Sequence, residues 1–201
     1  MAAVLSRRHT RAEDLGLDTS RTVLWGESAG GHLAALTALT QHTRTRTRTR
    51  TRTGTGTGTG TIAGGVTWYA ATDLPGLAED RPADAYDPQD PTSFEALLLG
   101  GAPADRTEAA RDASPVIHVS PKTPPFLIPH GTDDALIPAR QSVRLANAPR
   151  AAGRHPDPHL LTGGNHLWLG LSDEDVEECY VRTLDFARCH TGGNTGASSS
   201  R

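Results

Sequence analysis

The segment "TVLWGESAGGH", residues 22–32, constrains the fold of this chain more than any other feature. A short apolar run leads into a serine held in the pattern G-x-S-x-G, and an alanine- and leucine-rich stretch follows. The run is too short for a helix and suits a buried parallel strand, whereas Leu33, Leu36 and Leu39 recur at helical spacing. The order of strand, tight turn and helix predicts an α/β fold with Ser28 at the tip of the turn.

Three later apolar runs continue this alternation. They are "IAGGVTWYAATDL" at 62–74, "PPFLIPHG" at 124–131 and "HLLTGGNH" at 159–166, and each leads into a polar loop. Helical patterns at 139–153 and 173–190 lie between and after them. We therefore predict a mostly parallel sheet of about four strands with flanking helices.

Composition divides the chain into one domain, residues 1–190, and a disordered tail at 191–201. Residues 43–61 alternate threonine with arginine and then with glycine, so neither face of a strand there would be apolar. Repulsion between like charges and the backbone entropy of glycine predict a disordered insert. Residues 75–120 are rich in proline, aspartate and alanine, and we interpret them as a cap-like region above the sheet.

The charge and cysteine content exclude several classes of protein. The net charge is −3, and the rest of the chain is more acidic once the five arginines of 43–61 are left out, which argues against nucleic acid as a partner. Cys179 and Cys189 are about 15 Å apart along one predicted helix, so we expect reduced thiols. No segment resembles a signal peptide or a membrane span, which predicts a cytoplasmic protein if Met1 is the true start.

The chemistry-bearing residues follow the predicted strands, at the edge where parallel sheets bind ligands. Ser28 follows the first strand, Asp134 the third and His166 the fourth. A serine hydroxyl becomes a good nucleophile when an imidazole takes its proton and a carboxylate orients that imidazole. We therefore predict Ser28, Asp134 and His166 as a catalytic triad, with Asp133 as the second choice for the acid. The Ala29 backbone N–H is the expected oxyanion donor.

Neighbouring residues receive structural interpretations. Gly26 and Gly30 are expected to supply the small side chains that the sharp bend needs. We expect His32 and His130 to pack or to hydrogen-bond without taking part in catalysis. Trp68 and Tyr69 are expected in the core, with lining of an acyl or alcohol pocket as the alternative for that pair.

A metal site is not expected. His155 and His159 are four residues apart, but Pro156 and Pro158 prevent the regular helix that would place both imidazoles on one zinc ion. No motif for a cofactor stands out elsewhere, and we predict that the chain uses neither metal nor cofactor.

The motifs together resemble the C-terminal half of an α/β-hydrolase of the hormone-sensitive-lipase and feruloyl-esterase-like groups. The resemblance extends from about Ala12 to Phe186 without the repeat, through "GLDTSRTVLWGESAGGHLAAL", "GGVTWYAATDL", "SPVIHVSPKTPPFLIPHGTDDALIPARQS" and "GGNHLW". It implies a partial α/β-hydrolase fold, equivalent to the last four strands, that hydrolyses small-molecule carboxylic esters through an acyl-enzyme. It also aligns Gln141 and Ser142 with a family position that we interpret as the start of a helix.

The sequence departs from that family before the nucleophile. Relatives carry an "HGGG" loop there, whose amide is the second oxyanion donor, and this sequence contains no such loop. The family's first four strands, including the one that should pair with "TVLW", are also missing, so we expect this strand to form an exposed apolar edge through which the chain self-associates. The alternative to an active esterase is therefore a truncated, inactive remnant or a gene-model fragment that lacks the oxyanion-hole loop.

Overall fold

The structure is a computed structural model that describes residues 7, 11–48, 61–82, 87–148 and 158–192. Within these ranges four strands form one parallel sheet in the order β1-β2-β3-β4. The strands are β1 (Arg21–Glu27), β2 (Thr61–Trp68), β3 (Phe126–Gly131) and β4 (Pro158–Leu161). The helices are α1 (Ser28–Arg48), α2 (Leu77–Asp80), α3 (Phe94–Leu99), α4 (Thr107–Asp112), α5 (Arg140–Asn147) and α6 (Asp173–Thr191).

The predicted α/β fold with four parallel strands is confirmed, and the differences lie at the ends of elements. β2 ends at Trp68, inside the apolar run 62–74, because Tyr69 has a φ of +36° and leaves the extended conformation. β4 ends at Leu161, because the chain turns at Gly163, where φ is +80°. Backbone conformation, which hydrophobicity alone does not report, sets both ends.

Two clusters of buried side chains fix the layers. One joins α1, β3 and α5, and the other joins β2, β4 and α6, so helices cover both faces of the sheet. The first cluster consists of Ala35, Leu39, Ile128, Leu145 and Ala146. The second consists of Val66, Trp68, Tyr69, Leu161, Trp168 and Cys179, which confirms Trp68 and Tyr69 as core residues.

The prediction of disorder throughout 43–61 was wrong at both ends of that range. Residues 43–48 continue α1, and Thr61 is the first residue of β2. Extending a helix that is already formed adds one hydrogen bond for each residue fixed, so α1 runs past its buried segment into the repeat. The remaining repeat residues, 49–60, lie outside the described ranges.

The C-terminal helix ends close to the predicted boundary. α6 reaches Thr191, and Gly192 follows with a φ of +75°, the left-handed conformation that glycine adopts at helix ends. The rest of the predicted tail lies outside the described residues. Both cysteines of α6 are free thiols, with Cys179 buried and Cys189 exposed.

β1 forms one edge of the described sheet. It pairs with β2 from Arg21 to Glu27, with a register shift between Thr22 and Val23, and no described strand lies on its other side. The side chain of Trp25 is 45% exposed. The predicted apolar edge is therefore present in the described part of the chain, while self-association through it stays a prediction.

Candidate active site

The carboxyl ends of the parallel strands gather the residues singled out in the sequence. Ser28 follows β1 directly, Asp134 lies three residues beyond the end of β3, and His166 lies five residues beyond the end of β4. Parallel strands end at the same edge of a sheet, so residues 138 positions apart in sequence meet there.

The turn at Ser28 is sharp, with a φ of +48° at a residue that is not glycine. A Cβ on Gly26 would overlap the backbone of Gly30, and one on Gly31 would lie 2.9 Å from the Ala70 Cβ. The prediction that Gly30 must be small was wrong, because a Cβ there would have no atom within 4 Å. The close approaches are at Gly26 and Gly31, so α1 starts tightly against β1 and β2.

Ser28, His166 and Asp134 form a continuous hydrogen-bonded row. Ser28 Oγ lies 2.9 Å from His166 Nε2, and His166 Nδ1 lies 2.7 Å from Asp134 Oδ2. Because the carboxylate accepts, Nδ1 carries the imidazole proton and Nε2 is free to accept from the serine hydroxyl. The structure therefore brings together all three predicted side chains in the order that the chemistry needs.

Asp134 is held as an ionised acceptor. Its side chain is fully buried, and its Oδ1 accepts from the backbone N–H groups of Leu136, at 3.0 Å, and Ile137, at 2.8 Å. Burial alone would raise the pKa of the Asp134 carboxyl, but hydrogen bonds from His130, the Ile137 amide and His166 outweigh it and leave that pKa below its ordinary value. The carboxylate is thus charged where it faces His166.

Asp133, the second choice for the acid, is exposed. Its Oδ1 accepts from the Thr132 hydroxyl at 2.8 Å, and its backbone N–H donates to Gly164 at 2.9 Å. The carboxylate of Asp134, rather than that of Asp133, is the one hydrogen-bonded to His166.

His130 supports the acid, a role that sequence reasoning did not assign to it. Its Nε2 lies 2.7 Å from the Ile137 carbonyl and 3.3 Å from Asp134 Oδ2, and both are acceptors, so Nε2 carries the proton. Its Nδ1 then accepts from the Ser142 hydroxyl at 2.6 Å. The spacing of four residues between His130 and Asp134 was the signal available in the sequence.

The loops after β3 and β4 are tied to each other by backbone and amide contacts. A Cβ on Gly131 would overlap the backbone of Gly164, so the two loops pass as closely as glycine allows. Asn165 Oδ1 accepts from Ala135 N–H at 3.1 Å and from His166 N–H at 2.7 Å. These contacts fix the separation between the loop that bears the acid and the loop that bears the imidazole.

Tyr69 is a second residue whose contacts the sequence did not reveal. Its hydroxyl donates to Glu27 Oε2 at 2.5 Å, and its ring meets the imidazole of His166 edge-on with the centroids 4.9 Å apart. Burial, followed by the hydrogen bond to Glu27, raises the pKa of the Tyr69 phenol above its ordinary value. Tyr69 thus stays neutral and links the residue before Ser28 to the ring of His166.

A cavity of about 320 Å³ opens beside Ser28. Ala29, in the first turn of α1, lies on its wall, and the amides of a first helical turn lack intrahelical acceptors. The Ala29 N–H can therefore serve an oxyanion formed at Ser28. The absence of a second oxyanion donor stays a prediction.

The cavity wall also includes part of the predicted cap-like region. Phe94 and Leu98 of α3 lie on it, between β2 and β3 in sequence. Trp68 and Tyr69, considered in the sequence as alternative pocket residues, are not part of this wall.

Gln141 and Ser142 lie in the first turn of α5, in agreement with their interpretation as the start of a helix, and both are buried. Gln141 does more than start the helix. Its Oε1 accepts from the backbone N–H groups of Thr72, at 2.9 Å, and Asp73, at 2.8 Å. The side chain thereby anchors the loop that follows β2.

The described residues contain no cluster of three or more His, Cys, Asp or Glu side chains that could hold a metal ion. Of the histidine pair considered for zinc, His155 lies outside the described ranges. In those ranges, every helix is too short or too polar to cross a bilayer.

The four-stranded parallel sheet with helices on both faces and the sharp turn at Ser28 is a partial α/β-hydrolase fold, as predicted. A truncated form of a carbohydrate esterase from gut microbiota superposes with a TM-score of 0.71 at 23% identity, covering 92% of this chain and 66% of that one. Residues 5–148 match the BD-FAE family, and the chain belongs to that family. The matched stretch contains Ser28 and Asp134 and ends before His166.

Two relatives from Mycobacterium tuberculosis carry ester-hydrolase names. The probable carboxylic ester hydrolase LipM of Mycobacterium tuberculosis is 29% identical over 143 residues, which are 71% of this chain and 31% of LipM. The esterase LipC of the same organism is 29% identical over 155 residues, 77% of this chain and 36% of LipC. The chain thus spans about a third of the length of these relatives.

Proposed function

We propose that this chain hydrolyses carboxylic esters of small molecules through an acyl-enzyme on Ser28. The observation that carries the proposal is the hydrogen-bonded row from Ser28 through His166 to Asp134, with separations of 2.9 and 2.7 Å. Membership of the BD-FAE family and the names of LipM and LipC support the same reaction class.

In the first half of the reaction, Ser28 Oγ attacks the ester carbonyl carbon and its proton passes to His166 Nε2. The carbonyl oxygen becomes an oxyanion that the Ala29 N–H stabilises. The intermediate collapses, the carbon–oxygen bond to the alcohol breaks, and His166 returns its proton to the departing oxygen. Ser28 is left as an acyl ester.

Water completes the cycle. The oxygen of a water molecule attacks the acyl carbon while His166 takes a proton from that water. The bond between the acyl carbon and Ser28 Oγ then breaks, and Ser28 Oγ recovers the proton from His166. The ionised Asp134 holds His166 in the required tautomer and stabilises its charged form throughout. The products are a carboxylic acid, an alcohol and the free enzyme.

The test combines labelling with turnover. The purified chain is treated with a serine-directed fluorophosphonate and, separately, with p-nitrophenyl butyrate, beside a Ser28→Ala variant whose fold is checked by circular dichroism. We expect a single adduct on the peptide that contains Ser28 and release of p-nitrophenol well above the variant. A folded wild-type chain that shows neither would contradict the proposal and favour the inactive remnant.

A further inference from the structure

Strained backbone is concentrated at one place in the described part of the chain. Its non-glycine residues with positive φ are Ser28 at +48°, Tyr69 at +36°, Leu167 at +60° and Trp168 at +63°. Each follows the carboxyl end of a strand, after β1, after β2 and after β4. Such conformations cost free energy and persist only where the surrounding contacts hold them. The contacts among these residues therefore show what keeps the site in shape.

Tyr69 lies between the strained segments. Its ring meets the ring of Trp168 with the centroids 4.7 Å apart and an angle of 85° between the planes, and it meets the imidazole of His166 at 4.9 Å and 66°. Only Leu167 separates those two residues in sequence, and its side chain is 59% exposed. The buried ring of Tyr69 thus contacts both ends of the strained segment that carries the base.

Tyr69 is itself fixed from two sides. Its backbone N–H donates to the Pro129 carbonyl of β3 at 3.0 Å, and its hydroxyl donates to Glu27 Oε2 at 2.5 Å. Glu27 is the last residue of β1 and directly precedes Ser28. The position of the Tyr69 ring is therefore set by the same strand that presents the nucleophile.

The orientation of His166 needs more than its bond to Asp134. That bond fixes Nδ1 at 2.7 Å from the carboxylate, but a single hydrogen bond leaves a ring able to tilt about the contact. Transfer of the Ser28 proton requires Nε2 to stay aimed at Oγ, 2.9 Å away. A ring packed edge-on against the imidazole opposes that tilt.

We propose that Tyr69, held by Glu27, is a positioning residue that keeps the imidazole of His166 aimed at Ser28 Oγ. This inference rests on the proposed ester hydrolysis and deepens it. Tyr69 is not on the cavity wall, so it acts through His166 and not on the substrate. Its loss should lower kcat and leave KM nearly unchanged.

Steady-state hydrolysis of p-nitrophenyl butyrate tests the bond between the hydroxyl and the carboxylate. Tyr69→Phe keeps the ring and removes the hydroxyl, and Glu27→Leu removes the acceptor at an exposed position. We expect each to lower kcat about tenfold with KM within about twofold of wild type. The double variant should lose no more than either single variant, because both remove the same hydrogen bond.

Two further variants separate the hydrogen bond from the charge of Glu27. Glu27→Gln keeps an oxygen that accepts from the Tyr69 hydroxyl and removes the negative charge, so it should recover most of the kcat that Glu27→Leu loses. Glu108→Leu removes an exposed carboxylate of α4 that is not on the cavity wall, and it should match wild type.

The orientation of the imidazole is measured directly in chain labelled with ¹⁵N-histidine, well below the unfolding temperature. The Nδ1 and Nε2 resonances of His166 should shift in Tyr69→Phe and in Glu27→Leu and return toward their wild-type values in Glu27→Gln. Exposed His118, whose Nε2 lies 2.8 Å from the Asp112 carbonyl, is the internal control and should not move.

Unmoved His166 resonances in the folded Tyr69→Phe and Glu27→Leu chains would overturn the inference, and so would an unchanged kcat in an active chain. A Glu27→Gln chain as impaired as Glu27→Leu would also overturn it, because the charge of Glu27 would then act without Tyr69. If Tyr69→Phe does not fold, the two Glu27 variants decide the question.

The resonances do not depend on turnover, so the two proposals fail separately. A chain that fails the fluorophosphonate test but shows the expected His166 shifts rejects the proposed hydrolysis alone. An active chain whose kcat and His166 resonances ignore both substitutions rejects the role of Tyr69 alone.

Discussion

At the carboxyl edge of the sheet, the loops after β3 and β4 and the region around β1 are built in opposite ways. His130, on β3, and Asp134, in the loop after β3, are buried with their polar side-chain atoms paired, and a Cβ on Gly131 at the end of β3 would overlap the backbone of Gly164. The β1 region instead exposes Trp25 at the sheet edge and Leu33 at the cavity.

The difference separates two requirements of the site. The orientation of His166 depends on contacts that are all present among the described residues, because the acid and its supporting groups come from β3, α5 and the two loops. Ser28, in contrast, follows β1, which has a described partner strand on one side only, so the other edge of β1 is open. Substitutions on the two sides should therefore affect different measurements.

The largest effect is expected from Asp134→Asn. The amide would no longer hold His166 in the tautomer that accepts from Ser28, and by analogy with enzymes that use a Ser-His-Asp triad kcat should fall by about 10⁴-fold. Steady-state hydrolysis of p-nitrophenyl butyrate measures it. Asp133→Asn, next to it but exposed, is the matched control and should stay within a few-fold of wild type; similar losses in both variants would contradict the assignment of the acid.

The next largest effect is expected from Gly26→Ala, on the β1 side. The new methyl group would overlap the backbone of Gly30, and displacing a packed helix start should cost about 3 kcal/mol or more in the free energy of unfolding. Gly30→Ala is the control in the same motif, where open space predicts no loss and a gain of up to about 1 kcal/mol. Urea unfolding curves compare them, and equal destabilisation would show that the bend is looser than the structure indicates.

A smaller effect is expected when the pH is lowered. The folded pKa of Asp134 lies below its ordinary value of 3.8, so the stability that the carboxylate contributes is present above that value and disappears as the pH falls through the folded pKa. Between pH 5 and pH 2, Asp134→Asn should therefore lose less stability than wild type. Thermal unfolding measured across this range gives the change of stability with pH. The Asp133→Asn variant, changed at an exposed carboxylate, should follow wild type more closely.

The smallest effect on stability is expected from Trp25→Lys at the β1 edge. Trp25 contacts the rings of Trp68 and Tyr180, with centroids 5.1 and 5.8 Å apart, so its loss should cost about 1 kcal/mol. Self-association of the chain should change more than its stability does, because a charge on an edge strand opposes strand pairing between chains. Sedimentation velocity over a range of concentrations measures it, with the equally charged Leu97→Lys as control; association that responds to both variants alike would exclude the edge as the contact.

The order of strands and helices was predictable because apolar runs and helical spacing are local properties of the sequence. The meeting of Ser28, Asp134 and His166 was also predictable, since each follows a parallel strand and such strands end together. The helical start of the repeat was not, because helix extension depends on the helix before it and not on the composition of residues 43–48.

Among the site residues, the sequence alone marked Ser28 by its glycine turn and His166 by its place after the last strand, and it left Asp133 beside Asp134 as an open choice. Only the tertiary structure decided between those carboxylates, because burial and the facing imidazole depend on how two distant loops pack. The same holds for His32, whose Nδ1 donates to the carbonyl of Ala71, 39 residues away. A hydrogen bond between such distant residues depends on how the chain packs, and no local pattern records it.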